Sequence, residues 1–159
     1  MQAVTPAFDT IEIGQRWRSH GRTLTEADLA QACMTSGDWH PIHADAAYAA
    51  GTPVGQRVFQ GTYGIHVAVG MATPFPAAMG PDVVGALGLS EWKYLAPLLV
   101  GDTVHVEVEV TGKRRTSDGQ RGVVERRIRL LRHDGVVVQQ GLVQTMVKAP
   151  PDGAAKGAP

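Results

Sequence analysis

Between Ser36 and Asp45 the chain reads Ser-Gly-Asp-Trp-His-Pro-Ile-His-Ala-Asp, which places a carboxylate, Asp38, close in sequence to an imidazole, His43. Histidine titrates near neutral pH, so a carboxylate and an imidazole that share one water can move protons in both directions there. Pro41 fixes its own φ and biases His40 toward an extended conformation, which predicts a bent, non-helical segment that aims Asp38 and His43 at one spot. The same residues have plainer uses: Asp38 as a turn carboxylate bonded to its own backbone, and His43 as a capping or structural histidine. His40, His43, Asp38 and Asp45 also offer nitrogen and oxygen ligands. Helical zinc pairs use an i, i+4 spacing, whereas Pro41 interrupts these histidines at a spacing of three, so no metal is expected. Downstream, Phe59-Gln60-Gly61-Thr62 opens an apolar run. If Gly61 begins a helix, its N–H lacks an intrahelical partner and lies at the positive end of the helix dipole, suited to an oxygen that gains charge. Glycine there also serves simply to permit a turn or close packing.

The elements that must position these groups are legible in outline. Phe8 to Trp17 alternates partially and predicts an extended opening strand or arm. Thr25 with Asp28 three residues on forms an approximate capping box, and Leu29, Ala32 and Cys33 recur at helical spacing, so a helix is expected from Glu26 to Thr35. Gly37 is placed to stop it, which puts the Asp38 and His43 pair just beyond a helix C-terminus. A short helix follows from Ala44 to Ala50. The run Gly61 to Ala72 is apolar nearly all round and is halted by Thr73-Pro74-Phe75-Pro76. Periodicity does not separate a buried helix from a buried strand here. Its small residues suit close approach to a sheet, and the strand-rich half that follows needs something to wrap, so a buried helix is expected. Four strands are predicted, over Val83 to Lys93, Thr103 to Lys113, Gly122 to Arg132 and Val136 to Val147, joined as an antiparallel meander.

Composition limits the function classes. With 159 residues the chain fits one domain with a real core. Lys plus Arg and Asp plus Glu each total 15, so no general attraction to nucleic acid or to an anionic membrane follows. Cys33 is the only cysteine, which rules out an intramolecular disulfide and gives no sign of an oxidising compartment. Neither a leader nor a bilayer-spanning stretch is visible, and a soluble cytoplasmic protein is expected. The last residues, Ala149 to Pro159, have the composition of an unfolded terminus, leaving one domain over residues 1–148 and a tail over 149–159. Arg57, Lys93, Arg114 and Arg115 read as solvated surface charges that could also meet phosphates.

The run Gly37-Asp38-Trp39-His40-Pro41-Ile42-His43-Ala44-Asp45 resembles the signature of the MaoC-like dehydratases, the (R)-specific enoyl-CoA hydratase group, written G-D-x-N-P-[apolar]-H-x-D. The family's next glycine, usually preceded by histidine, falls at Gly61, with Gln60 in the histidine's place. Tyr94 to Thr103 is similar to the family's F-x-x-P-V-x-x-G-D-T segment, so the likeness runs from about Phe8 to Lys148. The resemblance implies an α+β hotdog fold, a curved antiparallel sheet wrapped around one central helix, and hydration of 2-enoyl thioesters to (R)-3-hydroxyacyl thioesters or the reverse. It implies Asp38 and His43 as the catalytic pair on one water, and Gly61 as the N–H that receives the thioester oxygen. Gln60 and Thr62 would border the substrate, and His40, where the family commonly has asparagine, would lie beside it. No cofactor is needed, because the thioester supplies its own activation. The carrier would be CoA or acyl carrier protein, and the assembly a homodimer. Two departures stand out besides Gln60: His40 itself, and Val69, where some members carry serine. A hotdog thioesterase and a non-catalytic acyl-thioester-binding subunit are the alternatives.

Overall fold

The computed structural model describes residues 8–73 and 83–149. Its strands are β1 (Arg16–Arg18), β2 (Arg22–Thr23), β3 (Val83–Tyr94), β4 (Thr103–Arg115), β5 (Arg121–Arg132) and β6 (Val137–Lys148). The helices are α1 (Glu26–Ser36), α2 (Pro41–Ala44), α3 (Ala46–Ala50) and α4 (Gly61–Ala72).

Local chemistry accounts for the helices. Thr25 caps α1 through a complete capping box with Asp28, and Gly37 ends it in the left-handed conformation at φ 72°, its N–H donating to the Cys33 carbonyl at 2.9 Å. Along α4, Gly64, Ala68 and Ala72 are buried at successive i, i+4 positions, which brings the helix backbone close to the sheet. Ala68 and Ala72, with Val67, join Val104, Val106 and Val108 of β4, Ile128 and Leu130 of β5, and Val138 of β6 in one core cluster. This sheet wrapped around a single apolar helix is the hotdog fold implied above. A second cluster joins Phe8, Ile11, Val110, Val124, Val147 and Ala149 at the other end of the sheet.

The helix expected from Ala44 to Ala50 is α3, beginning at Ala46, and three details of the strands and chain ends also differ from expectation. Phe8–Thr10 is a 3-10 turn and only Arg16–Arg18 forms the first strand, because Phe8 and Ile11, three residues apart, both bury in the second cluster. The β4–β5–β6 meander is present, but β3 does not pair with β4. It crosses to the far side and pairs with β6, giving the order β1-β4-β5-β6-β3, with β2 also on β4. The long loop after β3 makes this crossing, and on the way it bonds the segment before α4: the Phe59 N–H donates to the Leu98 carbonyl at 2.9 Å, and Val58 bridges Leu99. The third difference is Ala149, expected at the start of the tail. It is buried and donates its N–H to the Gln120 carbonyl at 2.9 Å. Residues 150–159 and the expected stop at Pro74 to Pro76 lie outside the described residues. No described helix is long and apolar enough to cross a membrane.

Candidate active site

Asp38 follows the left-handed Gly37 and is held by short-range bonds. Its N–H donates to Ser36 Oγ at 3.1 Å, and its Oδ1 accepts the His40 N–H at 3.1 Å. That leaves Oδ2 available. It lies 3.5 Å from His43 Nε2. His43 is not on an irregular segment as expected but in the single turn of α2, for a reason the motif itself supplies. His40 caps that turn, its Nδ1 accepting the Ile42 N–H at 3.2 Å, and Pro41 occupies the first helical position, where its missing N–H costs nothing. Asp45 then caps α3 by accepting the Tyr48 N–H at 3.0 Å. The polar positions of the signature other than Asp38 and His43 are therefore occupied here by helix caps, work for which the family's asparagine at position 40 is equally suited.

The second nitrogen of His43 decides its chemistry. Nδ1 lies 2.7 Å from the Val58 carbonyl, which can only accept, so Nδ1 carries a proton and donates it there, and Nε2 is the nitrogen that faces Asp38. A separation of 3.5 Å is long for a direct bond and leaves a water beside the pair able to contact both atoms. The His43 side chain is 12% exposed and that of Asp38 47%, so the pair opens to solvent on the carboxylate side.

Both members are tied to the start of α4. Val58, which holds His43, lies just upstream of it, and Gln60, its N-cap, donates from Nε2 to the Asp38 carbonyl at 3.1 Å. Gly61 is the first helical residue, and its N–H has no partner among the described residues. The Gly61 carbonyl accepts from Gln139 Nε2 at 3.0 Å, and Gln139 Oε1 accepts from Trp92 Nε1 at 2.9 Å. A Cβ at Gly61 would stand 2.8 Å from Tyr94 Cε1, so the tyrosine ring lies directly over this residue. A largely apolar cleft of about 380 Å³ lies here, walled by Val58, Phe59, Gly61, Tyr94, Leu95, Ala96, Pro97, Leu98 and Gln139. A more polar cleft of about 460 Å³ lies against Gln60 and Thr62, with Tyr63, His66, Arg22 and residues of α1 completing it.

Below the helix start, Tyr63 donates its hydroxyl to Asp28 Oδ1 at 3.0 Å, and Arg22 and Thr25 bond the same carboxylate. Burial pushes the Tyr63 phenol above its ordinary pKa, and the bonded Asp28 pushes it further. Burial also pulls Asp28 upward, but the hydrogen bonds from Thr25 and Tyr63 and the Arg22 charge outweigh it and hold the carboxyl below its ordinary value. Tyr63 thus stays protonated and anchors α4 to α1. Of the arginines considered for phosphate contact, Arg57 pairs with Glu26 and Arg115 with Asp9, both at 2.6 Å.

Sequence reasoning singled out Asp38, His40, His43, Gln60, Gly61 and Thr62, but it missed Val58, Tyr63 and Gln139. Val58 acts through its carbonyl, which leaves no side-chain signal. Gln139 carried a weak one, an amide within a run of strand-forming residues.

The family model for the MaoC like domain matches residues 9–130. The chain belongs to this family. It is 34% identical to Protein MaoC of Klebsiella aerogenes over 75% of this chain and 34% of that one. It is also 34% identical to the 3-hydroxybutyryl-CoA dehydratase of Methylorubrum extorquens, over 65% of this chain and 62% of that one. The chain thus spans about a third of the length of the first relative and under two thirds of the second. Among solved structures, the R-hydratase PhaJ1 of Pseudomonas aeruginosa superposes with a TM-score of 0.71 at 29% identity, covering 92% of this chain and 86% of that one.

Proposed function

We propose that this MaoC-like domain hydrates 2-enoyl thioesters to (R)-3-hydroxyacyl thioesters, and catalyses the reverse dehydration. The observation that carries this reading is the Asp38 and His43 pair, 3.5 Å apart and joined on both sides to the start of α4. In the forward direction one member of the pair, Nε2 or Oδ2, removes a proton from the water as its oxygen bonds to Cβ; the C=C π bond breaks, its electrons pass toward the thioester oxygen, and the pair returns that proton to Cα. Charge that would build on the thioester oxygen is met by the Gly61 N–H. Thr62 and Gln60 border the acyl thioester, and His40 shapes the loop beneath it. The name of the 3-hydroxybutyryl-CoA dehydratase supports the substrate class, and the R configuration follows that in the name of the R-hydratase PhaJ1. CoA or acyl carrier protein is the carrier, and the chemistry calls for no cofactor.

Incubation with crotonyl-CoA, or a longer enoyl-CoA, tests this. Conjugated-enoyl absorbance is expected to fall while no free thiol appears, since the carbonyl carbon is polarised but not attacked. Stoichiometric release of CoA that disappears in Asp38→Asn would instead establish a thioesterase.

The active unit is a homodimer. Among the described residues β3 is an edge strand with one side unpaired, and Val83, Val84, Leu87, Leu89 and Tyr94 on it are exposed. Apolar alternation in the last strands suggested that edge, but β6 is interior to the sheet and β3 takes its place there. Pairing two β3 edges about a twofold axis would satisfy their free N–H and C=O groups and cover these side chains. Tyr94 stands over Gly61 at the end of the same strand, so the interface would adjoin the site. A mass of two chains is expected in solution. A fully active monomer at low micromolar concentration would overturn this assembly.

A further inference from the structure

Gln60 is only 4% exposed and immediately precedes Gly61. Its Nε2 donates to the Asp38 carbonyl at 3.1 Å and contacts Cys33 Sγ at 3.2 Å, which occupies both amide hydrogens. The carbonyl can only accept, so the amide cannot be reversed without losing that bond. Its Oε1 is then left buried with no partner. An unpaired buried acceptor is costly, and an apolar side chain of similar volume would fill the space without that cost. Stability alone therefore does not account for glutamine here. What the amide holds is the backbone of Asp38. Every other bond to Asp38 in this loop comes from within two residues of it, at Ser36 and His40, whereas His43 is held separately by Val58.

We propose, on the hydratase reading above, that Gln60 is a positioning residue: its amide clamps the Asp38 carbonyl so that Oδ2 stays at water-sharing distance from His43 Nε2. The same clamp couples that pair to the neighbouring Gly61 N–H, so proton transfer and carbonyl polarisation keep one geometry.

Three variants test the clamp. Gln60→Leu removes the donor and should lower kcat about ten- to a hundredfold with little change in KM, the effect of slight misplacement of a reacting group. Gln60→His restores an N–H donor and should recover most of the loss. Gln60→Glu keeps the shape but donates only when protonated. Burial and the facing Asp38 carbonyl raise the pKa of the introduced carboxyl, so kcat should be near wild type at low pH and fall as pH rises, a limb absent from the wild-type profile. A second measurement is independent of the reaction: ¹⁵N relaxation at the Asp38 and Trp39 amides should report added motion in Gln60→Leu at an unchanged fold. Unaltered relaxation, or a Gln60→Glu profile parallel to wild type with Gln60→Leu within twofold of it, overturns the proposal. If wild-type protein hydrates no enoyl thioester, the functional reading fails, and relaxation alone decides the clamp.

Discussion

Asp38→Asn and His43→Ala are each expected to leave a folded protein whose turnover on an enoyl thioester is lower by about two to four orders of magnitude. The fold should tolerate both changes. Asp38 is on an open loop and outside the core clusters, and asparagine retains an oxygen for the His40 N–H, bonded now at 3.1 Å. His43 contributes its Nδ1 bond to Val58, and its loss frees one carbonyl at the edge of a cleft. On the proposed mechanism, what each change removes is one of the two atoms that would face the shared water. Because both act on that one water, the double variant should be hardly slower than the worse single one. Steady-state rates of the three variants, with circular dichroism to verify folding, are the check. Near wild-type hydration by either single variant would remove the pair from the mechanism.

Gly64→Ala should destabilise the protein by about 2–4 kcal/mol, although alanine is the better helix former by about 1 kcal/mol. The sign follows from what the added methyl would meet. Its Cβ would stand 2.1 Å from Gln139 Nε2 and 2.7 Å from Gln139 Oε1, and Gln139 is 2% exposed. The amide cannot move without releasing the Gly61 carbonyl and the Trp92 indole N–H, and unpaired buried groups cost about 1–3 kcal/mol each. These losses exceed the gain in helix propensity. Chemical denaturation measures the change, and Gln139→Ala in the same chain should relieve part of it, making the two substitutions non-additive. An unchanged denaturation midpoint in Gly64→Ala would show that α4 does not approach β6 this closely.

The sequence by itself determined the features whose causes lie within one turn or one strand. The capping box of Thr25 and Asp28 and the left-handed Gly37 bracket α1 where expected, one residue longer. Val104, Val106, Val108 and Val110 alternate as a strand must, and α4 occupies Gly61–Ala72. Asp38 and His43 were visible because they stand close together, within a run whose caps and proline are also local. Only the tertiary structure decided which strand β3 would choose, since its pairing with β4 or β6 depends on the path of the loop between. It also decided how the site is braced. The bond from His43 to Val58 spans 15 residues, that from Gln60 to Asp38 spans 22, and that from Gln139 to Gly61 spans 78. Each joins a polar group to a backbone carbonyl, and every residue has such a carbonyl. No residue type or spacing therefore marks the acceptor, and the partners become definite only when packing α4 into the sheet brings them together.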